Sequence, residues 1–244
     1  MRNLLLTIQY DGTAYHGYQV QNNAITVQEV LQNALEKVFS KRLDVTGCSR
    51  TDSGVHAKMY CFTIRTDMSI PCESLIQALN GFLPKDIAAY DCREVDDDFH
   101  PRYSCKSKEY VYKILNAEYR DPFLSDYSYY YRRQIDAEYL NKEAKAFIGT
   151  YDFSGFCSVK STVENTVRTV KNFEVFRNGD MVIFKVEADG FLYNMVRIMI
   201  GTLLFVSEGK IKERELKEVI LSKDRKRAGK TAPPQGLYLN KVNY

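Results

Sequence analysis

Thr26-Val27-Gln28-Glu29-Val30-Leu31-Gln32-Asn33-Ala34-Leu35-Glu36-Lys37-Val38-Phe39 is the stretch on which the fold turns. Val27, Val30, Leu31, Ala34, Leu35, Val38 and Phe39 recur at three- and four-residue steps, which builds one apolar face of a helix. Thr26 and Glu29 make a capping box that satisfies orphan amides at its start, and Lys41–Arg42 are expected to close it. Upstream, Leu4, Leu6, Ile8 and Tyr10 alternate with other residues as a strand does. Downstream come a short strand at Leu43–Thr46, a second at Lys58–Arg65, a helix starting at Pro71 that buries Leu75, Ile76, Leu79 and Phe82, and a strand at Ile87–Arg93. The order is strand, helix, strand, strand, helix, strand.

The second half repeats it. A strand at Lys108–Asn116 precedes a helix over Asp136–Ile148, with Asp136 as N-cap and Gly149 as its stop. A hairpin joins Thr169–Phe176 to Met181–Ala188 through Asn178-Gly179, and a helix over Phe191–Val206 and a strand at Leu237–Val242 follow. Both halves therefore have the ferredoxin-like order, and the expected fold is α+β: two βαββαβ units with mainly antiparallel sheets. The expected domains are 1–104 and 105–244, divided in the acidic and polar stretch Asp96–Ser107. This rests on element order, since no residue-level repeat accompanies it.

Composition narrows the function. The 244 residues are 45% hydrophobic and 27% charged, ordinary values that exclude fibres and disorder. Thirty-four basic and 31 acidic residues give a net charge of +3, too mild to announce nucleic acid without local clustering. The longest mainly apolar run, Phe191–Val206, contains Arg197 and is too short to span a bilayer, so no membrane partner is expected. With no secretory signal visible, a cytoplasmic protein is expected. Six cysteines without a C-x-x-C pair and three histidines form no set at zinc-like spacing, so neither metal nor disulfide is expected. No G-x-G-x-x-G or P-loop is present.

Gly47-Cys48-Ser49-Arg50-Thr51-Asp52-Ser53-Gly54-Val55-His56 is a polar loop bracketed by glycines and set between two strands. Such composition also suits a plain surface turn. Arg197 supplies a second signal. It is the one charged residue in Phe191–Val206, and a guanidinium in an apolar helix needs a carboxylate or a polar pocket. Glu187 and Asp189 are near in sequence and would make a purely structural pair; the alternative partner is Asp52. An aspartate held by an arginine stays ionised, as a nucleophile requires.

Arg50-Thr51-Asp52-Ser53-Gly54-Val55-His56-Ala57 closely resembles the R-T-D-x-G-V-H-A signature of the tRNA pseudouridine synthase A family. Four further stretches agree in the family's order: Tyr10-Asp11-Gly12-Thr13, Lys108-Glu109-Tyr110-Val111-Tyr112, Met195-Val196-Arg197 and Thr231-Ala232-Pro233-Pro234-Gln235-Gly236-Leu237-Tyr238-Leu239. The chain departs at Ser53, where alanine is usual, and at Tyr18, where tryptophan is usual. Neither change touches the chemistry; both bear on substrate preference.

The resemblance implies the pseudouridine synthase fold and an isomerase that detaches uracil from its ribose within tRNA, turns it and rejoins it through C5. It implies action on positions 38–40 of the anticodon stem-loop, by a homodimer, without metal or cofactor. By the same resemblance Asp52 is the nucleophile, Arg197 is catalytic and Tyr110 contacts the target base. Tyr110 otherwise reads as a core aromatic, because its strand sets Tyr110, Tyr112 and Ile114 on one face. A phenol there offers a ring to stack on uracil and a hydroxyl to relay the C5 proton. Base extrusion leaves a gap in the stack, and Arg50, two residues before Asp52, is the candidate to hold it. His56 either shapes the loop or serves a purely structural hydrogen bond.

Two stretches suit an RNA-facing surface. Lys223, Arg225, Lys226, Arg227 and Lys230 oppose only Asp224, and Tyr119–Arg133 interleaves Arg120, Arg132 and Arg133 with Tyr127, Tyr129, Tyr130 and Tyr131. The helix over Lys212–Leu221 mixes charge signs around a narrow stripe of Leu216, Val219 and Ile220, unlike a membrane-surface helix. Two rival functions remain: a non-catalytic structured-RNA-binding protein or chaperone on the same fold, and a retaining glycosidase. The latter needs a second carboxylate about 5 Å from the nucleophile, and the loop supplies none.

Overall fold

The computed structural model describes residues 1–158 and 164–244, in two compact units: Met1–Lys106 with Tyr238–Tyr244, and Ser107–Leu237. The first unit runs β1 (Arg2–Tyr10), α1 (Val27–Phe39), β2 (Thr46–Gly47), β3 (His56–Thr66), α2 (Cys72–Phe82) and β4 (Ile87–Val95). Its sheet has β1 between β4 and β3, with β2 on the other edge of β3, all antiparallel. The register sets Leu4, Leu6 and Ile8 opposite Ile64, Phe62 and Tyr60, and these residues are fully buried, as are Leu31 and Leu35 of α1 and Leu75 and Leu79 of α2. Thr26 caps α1 by accepting from the Glu29 amide, and Ser40 ends it in the left-handed region at φ 54°, short of the expected Lys41–Arg42. Phe82 is 48% exposed rather than buried, because α2 ends there and its ring lies under the Lys37 ammonium, 5.6 Å away.

The second unit runs β5 (Ser107–Leu115), β6 (Tyr129–Tyr130), α3 (Ala137–Ala144), β7 (Gly149–Asp152), β8 (Val167–Asn178), β9 (Met181–Ala188), α4 (Met195–Ser207) and α5 (Leu216–Ser222). Its strands lie in the order β6, β5, β9, β8, β7, with only the β5–β6 pair parallel. Tyr112, Phe147, Phe153, Phe156, Phe173 and Phe184 form a fully buried aromatic core, in which Phe147 lies 5.3 Å from Phe156 and 5.6 Å from Phe173. The last strand, β10 (Leu237–Asn243), runs parallel to β3, pairing Tyr238 with His56 and Leu239 with Ala57. Sequence order put this strand with the second half; Tyr238–Tyr244 instead belong to the first unit. The mixed α+β architecture and mostly antiparallel pairing agree with the reading of the sequence.

Three elements differ in extent. Helix α3 stops at Ala144 and gives way to a tight turn over Lys145–Phe147, and Gly149, expected as the helix stop, starts β7 at φ +129°. Pairing with β8 captures that backbone. Helix α4 begins at Met195, because Asn194 takes the left-handed conformation at φ 62° that asparagine tolerates. Phe191 and Leu192 precede it as irregular backbone, followed by a turn at Tyr193 and Asn194. Asn178 pairs with Met181, so the hairpin turn is Gly179-Asp180, with positive φ at Gly179 alone.

Candidate active site

In the first unit, the loop between β2 and β3 carries Arg50 and Asp52, and His56 opens β3. Thr51 is buried, Asp52 half-buried and Arg50 exposed. Four contacts fix the backbone behind them. The Tyr10 hydroxyl lies 2.8 Å from Thr51 Oγ1, and the Tyr60 hydroxyl donates to the Ser49 carbonyl. The Tyr18 amide donates to the Thr51 carbonyl at 3.2 Å, and the Gly54 amide to the Tyr15 carbonyl at 3.2 Å. Between Ile8 and Tyr10 the β1–β3 register slips, the mark of a bulge, which re-aims Tyr10 where the loop begins.

Close backbone approach explains two glycines. A Cβ on Gly12 would sit 2.0 Å from the Val55 carbonyl oxygen, and one on Gly17 would sit 2.6 Å from that of Thr51, at φ +87°. The Tyr10-Asp11-Gly12-Thr13 stretch therefore packs directly against the end of the loop. His56 holds the same junction. Its Nδ1 accepts from the Gly12 amide at 3.1 Å and lies 3.1 Å from Asp11 Oδ1, while its buried ring stacks on Tyr238 at 4.6 Å. These contacts suit both readings of His56, a shaper of the loop and a purely structural hydrogen-bond partner.

Tyr18 and Tyr60 are stacked at 4.2 Å and buried, and burial pushes both phenols well up, so both stay protonated at neutral pH; Tyr60 donates to Ser49, whereas the Tyr18 hydroxyl has no hydrogen-bond partner among the described residues. The residue in place of the usual tryptophan thus packs behind the loop. Sequence reasoning missed Tyr10 and Tyr60 as anchors, since each simply continues the alternation of an apolar strand; the signal was a polar hydroxyl at a buried position, which needs a partner. Tyr60→Phe is expected to cost about 1 kcal/mol of stability, or some 2–4 °C in Tm. It should lower kcat about tenfold with KM little changed, because a loosened Ser49 carbonyl misplaces Asp52 without removing a substrate contact. Thermal melting beside steady-state kinetics checks this; an unchanged kcat would show that the hydroxyl does not set the loop.

In the second unit, Tyr110 lies on β5 opposite Val186, 6% exposed, with its ring edge-on to Phe191 at 5.0 Å. Arg197, at the start of α4, is half-buried. Its Nε donates to the Ala232 carbonyl at 2.7 Å and a terminal nitrogen donates to Asn194 Oδ1 at 2.8 Å. The next carbonyl, Pro233, accepts the Tyr112 hydroxyl at 2.7 Å, so two successive carbonyls tie the Thr231–Pro234 segment to α4 and β5. Asp189 Oδ1 accepts from the Thr169 amide at 3.0 Å and Glu187 Oε1 from the Ser107 hydroxyl at 2.5 Å, giving both sequence-near carboxylates partners of their own.

The basic stretches are only partly open. Lys223 pairs with Asp152 at 2.9 Å, and Thr166, with that lysine, holds the Asp152 carboxyl well below its usual range. Tyr131 donates to Glu208 at 2.7 Å and Arg133 lies 3.3 Å from the same carboxylate. Tyr119, Phe123 and Tyr127 are exposed, as are Arg120, Arg132, Lys226, Arg227 and Lys230. Among the described residues no three His, Cys, Asp or Glu side chains converge as a metal site requires, and no helix is long and apolar enough to cross a membrane.

Comparison with known proteins places this arrangement. A family described as tRNA pseudouridine synthase matches residues 6–104 and 144–244. The tRNA pseudouridine synthase A of Thermoanaerobacter sp. (strain X514) is 48% identical over 244 residues, all of both chains. The tRNA pseudouridine synthase A 2 of Clostridium perfringens is 45% identical, and the tRNA pseudouridine synthase A of Acetivibrio thermocellus 44%, again over the full length of both chains.

Proposed function

The chain belongs to the tRNA pseudouridine synthase family and is an isomerase, and from that premise we propose that it converts uridine to pseudouridine at positions 38–40 of the tRNA anticodon stem-loop, with Asp52 as nucleophile. The observation that carries the reading is the Arg50–Ala57 loop: the signature aspartate sits on a backbone anchored by Tyr10, Tyr60 and Gly12, half-buried and beside an exposed arginine. The reaction breaks the N1–C1′ bond and forms a C5–C1′ bond; C5 gives up its proton and N1 takes one up, so there is no net redox change.

A preorganised carboxylate lowers the barrier by meeting the reacting nucleotide in a fixed geometry, which requires that the loop not move when substrate arrives. Arg197 is the second catalytic residue. Tyr110 contacts the target base and relays the C5 proton, and Arg50 fills the space left by the extruded base. The enzyme works as a homodimer in the cytoplasm, with the exposed Arg120, Arg132, Lys226, Arg227 and Lys230 meeting tRNA phosphates.

Incubating the protein with unmodified tRNA and mapping pseudouridine by carbodiimide-dependent reverse-transcription stops tests the reading. New stops within positions 38–40 are expected; their absence, or stops confined to another arm, would contradict it. Binding should weaken on the order of a few hundredfold between 50 and 200 mM salt if about five phosphates are contacted. Filter binding across that range measures the slope, and a salt-independent affinity would remove the basic residues from the interface.

A further inference from the structure

Arg225 lies in the basic stretch Lys223–Lys230 that the sequence assigns to RNA, yet its guanidinium is turned inward. It is half-buried, donating to the Gly229 carbonyl at 2.8 Å and to Thr231 Oγ1 at 3.2 Å, both neutral acceptors. The two acceptors flank Lys230 in the segment that leads to Ala232.

That segment crosses α4 at a point where only glycine fits. A Cβ on Gly201 would come 1.7 Å from the Lys230 carbonyl oxygen, and one on Gly229 would come 2.2 Å from that of Gly201. The Gly229 amide donates to Thr202 Oγ1 at 2.8 Å, and that hydroxyl donates to the Ile198 carbonyl at 2.7 Å. One turn earlier, Arg197 and Ala232 exchange two bonds: the Ala232 amide to the Arg197 carbonyl at 3.0 Å, and Arg197 Nε to the Ala232 carbonyl at 2.7 Å. The backbone from Gly229 to Ala232 is thus pinned to α4 at both ends, and the Arg225 guanidinium holds two further acceptors along it, the Gly229 carbonyl and Thr231 Oγ1.

We propose that Arg225 is a positioning residue for Arg197: by clamping Gly229 and Thr231 it holds the Ala232 carbonyl where it orients the Arg197 guanidinium. This rests on the reading of Arg197 as catalytic. A guanidinium does this because its planar fork reaches two acceptors at once; a lysine keeps the charge but supplies a single flexible point donor. Lysine therefore separates a clamp from a phosphate contact, since phosphate accepts either cation.

The test compares Arg225→Lys, Arg225→Gln, Thr231→Val and Arg197→Met by single-turnover rates with saturating enzyme in excess, tRNA affinity with its salt slope, and Tm. A misplaced Arg197 should cost Arg225→Lys and Arg225→Gln alike about ten- to a hundredfold in the rate constant, with affinity within about twofold and the salt slope unchanged. Thr231→Val, the milder change, should fall in the same direction. A merely structural role would lower Tm and the active fraction but leave the rate constant of the folded enzyme alone, and that result overturns the proposal. So does a wild-type rate in Arg225→Lys beside weakened binding and a shallower salt slope in Arg225→Gln, which marks a phosphate contact. If Arg197→Met turns over normally, the reading of Arg197 falls and the proposal with it; if Arg197→Met is impaired while both Arg225 variants are normal, the clamp alone is refuted.

Discussion

Asp52→Asn is expected to lower turnover on the order of a thousandfold or more while leaving tRNA affinity within several-fold of wild type. Asparagine matches the size of aspartate, and the contacts that shape the loop run through Ser49, Thr51, Gly54 and Val55 rather than through this carboxylate alone. The backbone therefore stays where it is, and what disappears is the anionic oxygen. An amide oxygen is a poor nucleophile and carries no net charge to stabilise a developing cation, which converts to a barrier increase of about 4 kcal/mol or more. Single-turnover kinetics and filter binding on one preparation separate the two effects. Retained turnover would remove Asp52 from the nucleophile role, and a parallel collapse of affinity would make it a binding group.

The second large effect is expected at Arg197. Arg197→Met should reduce kcat/KM about 100- to 1,000-fold, the usual cost of removing one preorganised electrostatic group, and should also lower stability. Its guanidinium donates to the Ala232 carbonyl and to Asn194 Oδ1, and methionine satisfies neither. Leaving part-buried acceptors without these donors costs about 1–3 kcal/mol each, read as several degrees in Tm. Arg197→Lys should recover part of the stability and little of the rate, because a single ammonium cannot reproduce both bonds. Activity near wild type in Arg197→Met would show that Arg197 serves the fold of α4 and not the reaction.

The sequence was most legible where one physical rule acts alone. Alternation marked β1, the three-and-four spacing with its threonine cap marked α1, and the apolar run with a lone arginine marked α4. Boundaries were lost where a second rule intervened. Phe147 continues the apolar spacing of α3, but pairing of β7 with β8 ends the helix earlier; Phe191 and Leu192 are apolar without being helical, because the left-handed Asn194 stands between them and the helix. The parallel seat of β10 beside β3 has no local signal at all, being a pairing between the two ends of the chain.

The same distinction holds for the site. Asp52 stood out because a short loop concentrated polar groups between two glycines. Tyr10, Tyr18 and Tyr60, which hold that loop, were indistinguishable from core aromatics until their hydroxyls and rings had positions. Arg225 misled in the opposite direction: charge density in sequence suggested an open RNA face, whereas its guanidinium is half-buried and bonded to its own loop. Net charge per stretch records how many cations there are and not where they point.

The most direct test of the central claim, that Asp52 performs base isomerisation in tRNA, is release of tritium from unmodified tRNA labelled at uridine C5, with Asp52→Asn alongside. The account predicts release by the wild-type protein without added metal or cofactor and none above background by the variant. Equal release by both, or tRNA binding by the wild type without any release, would contradict it.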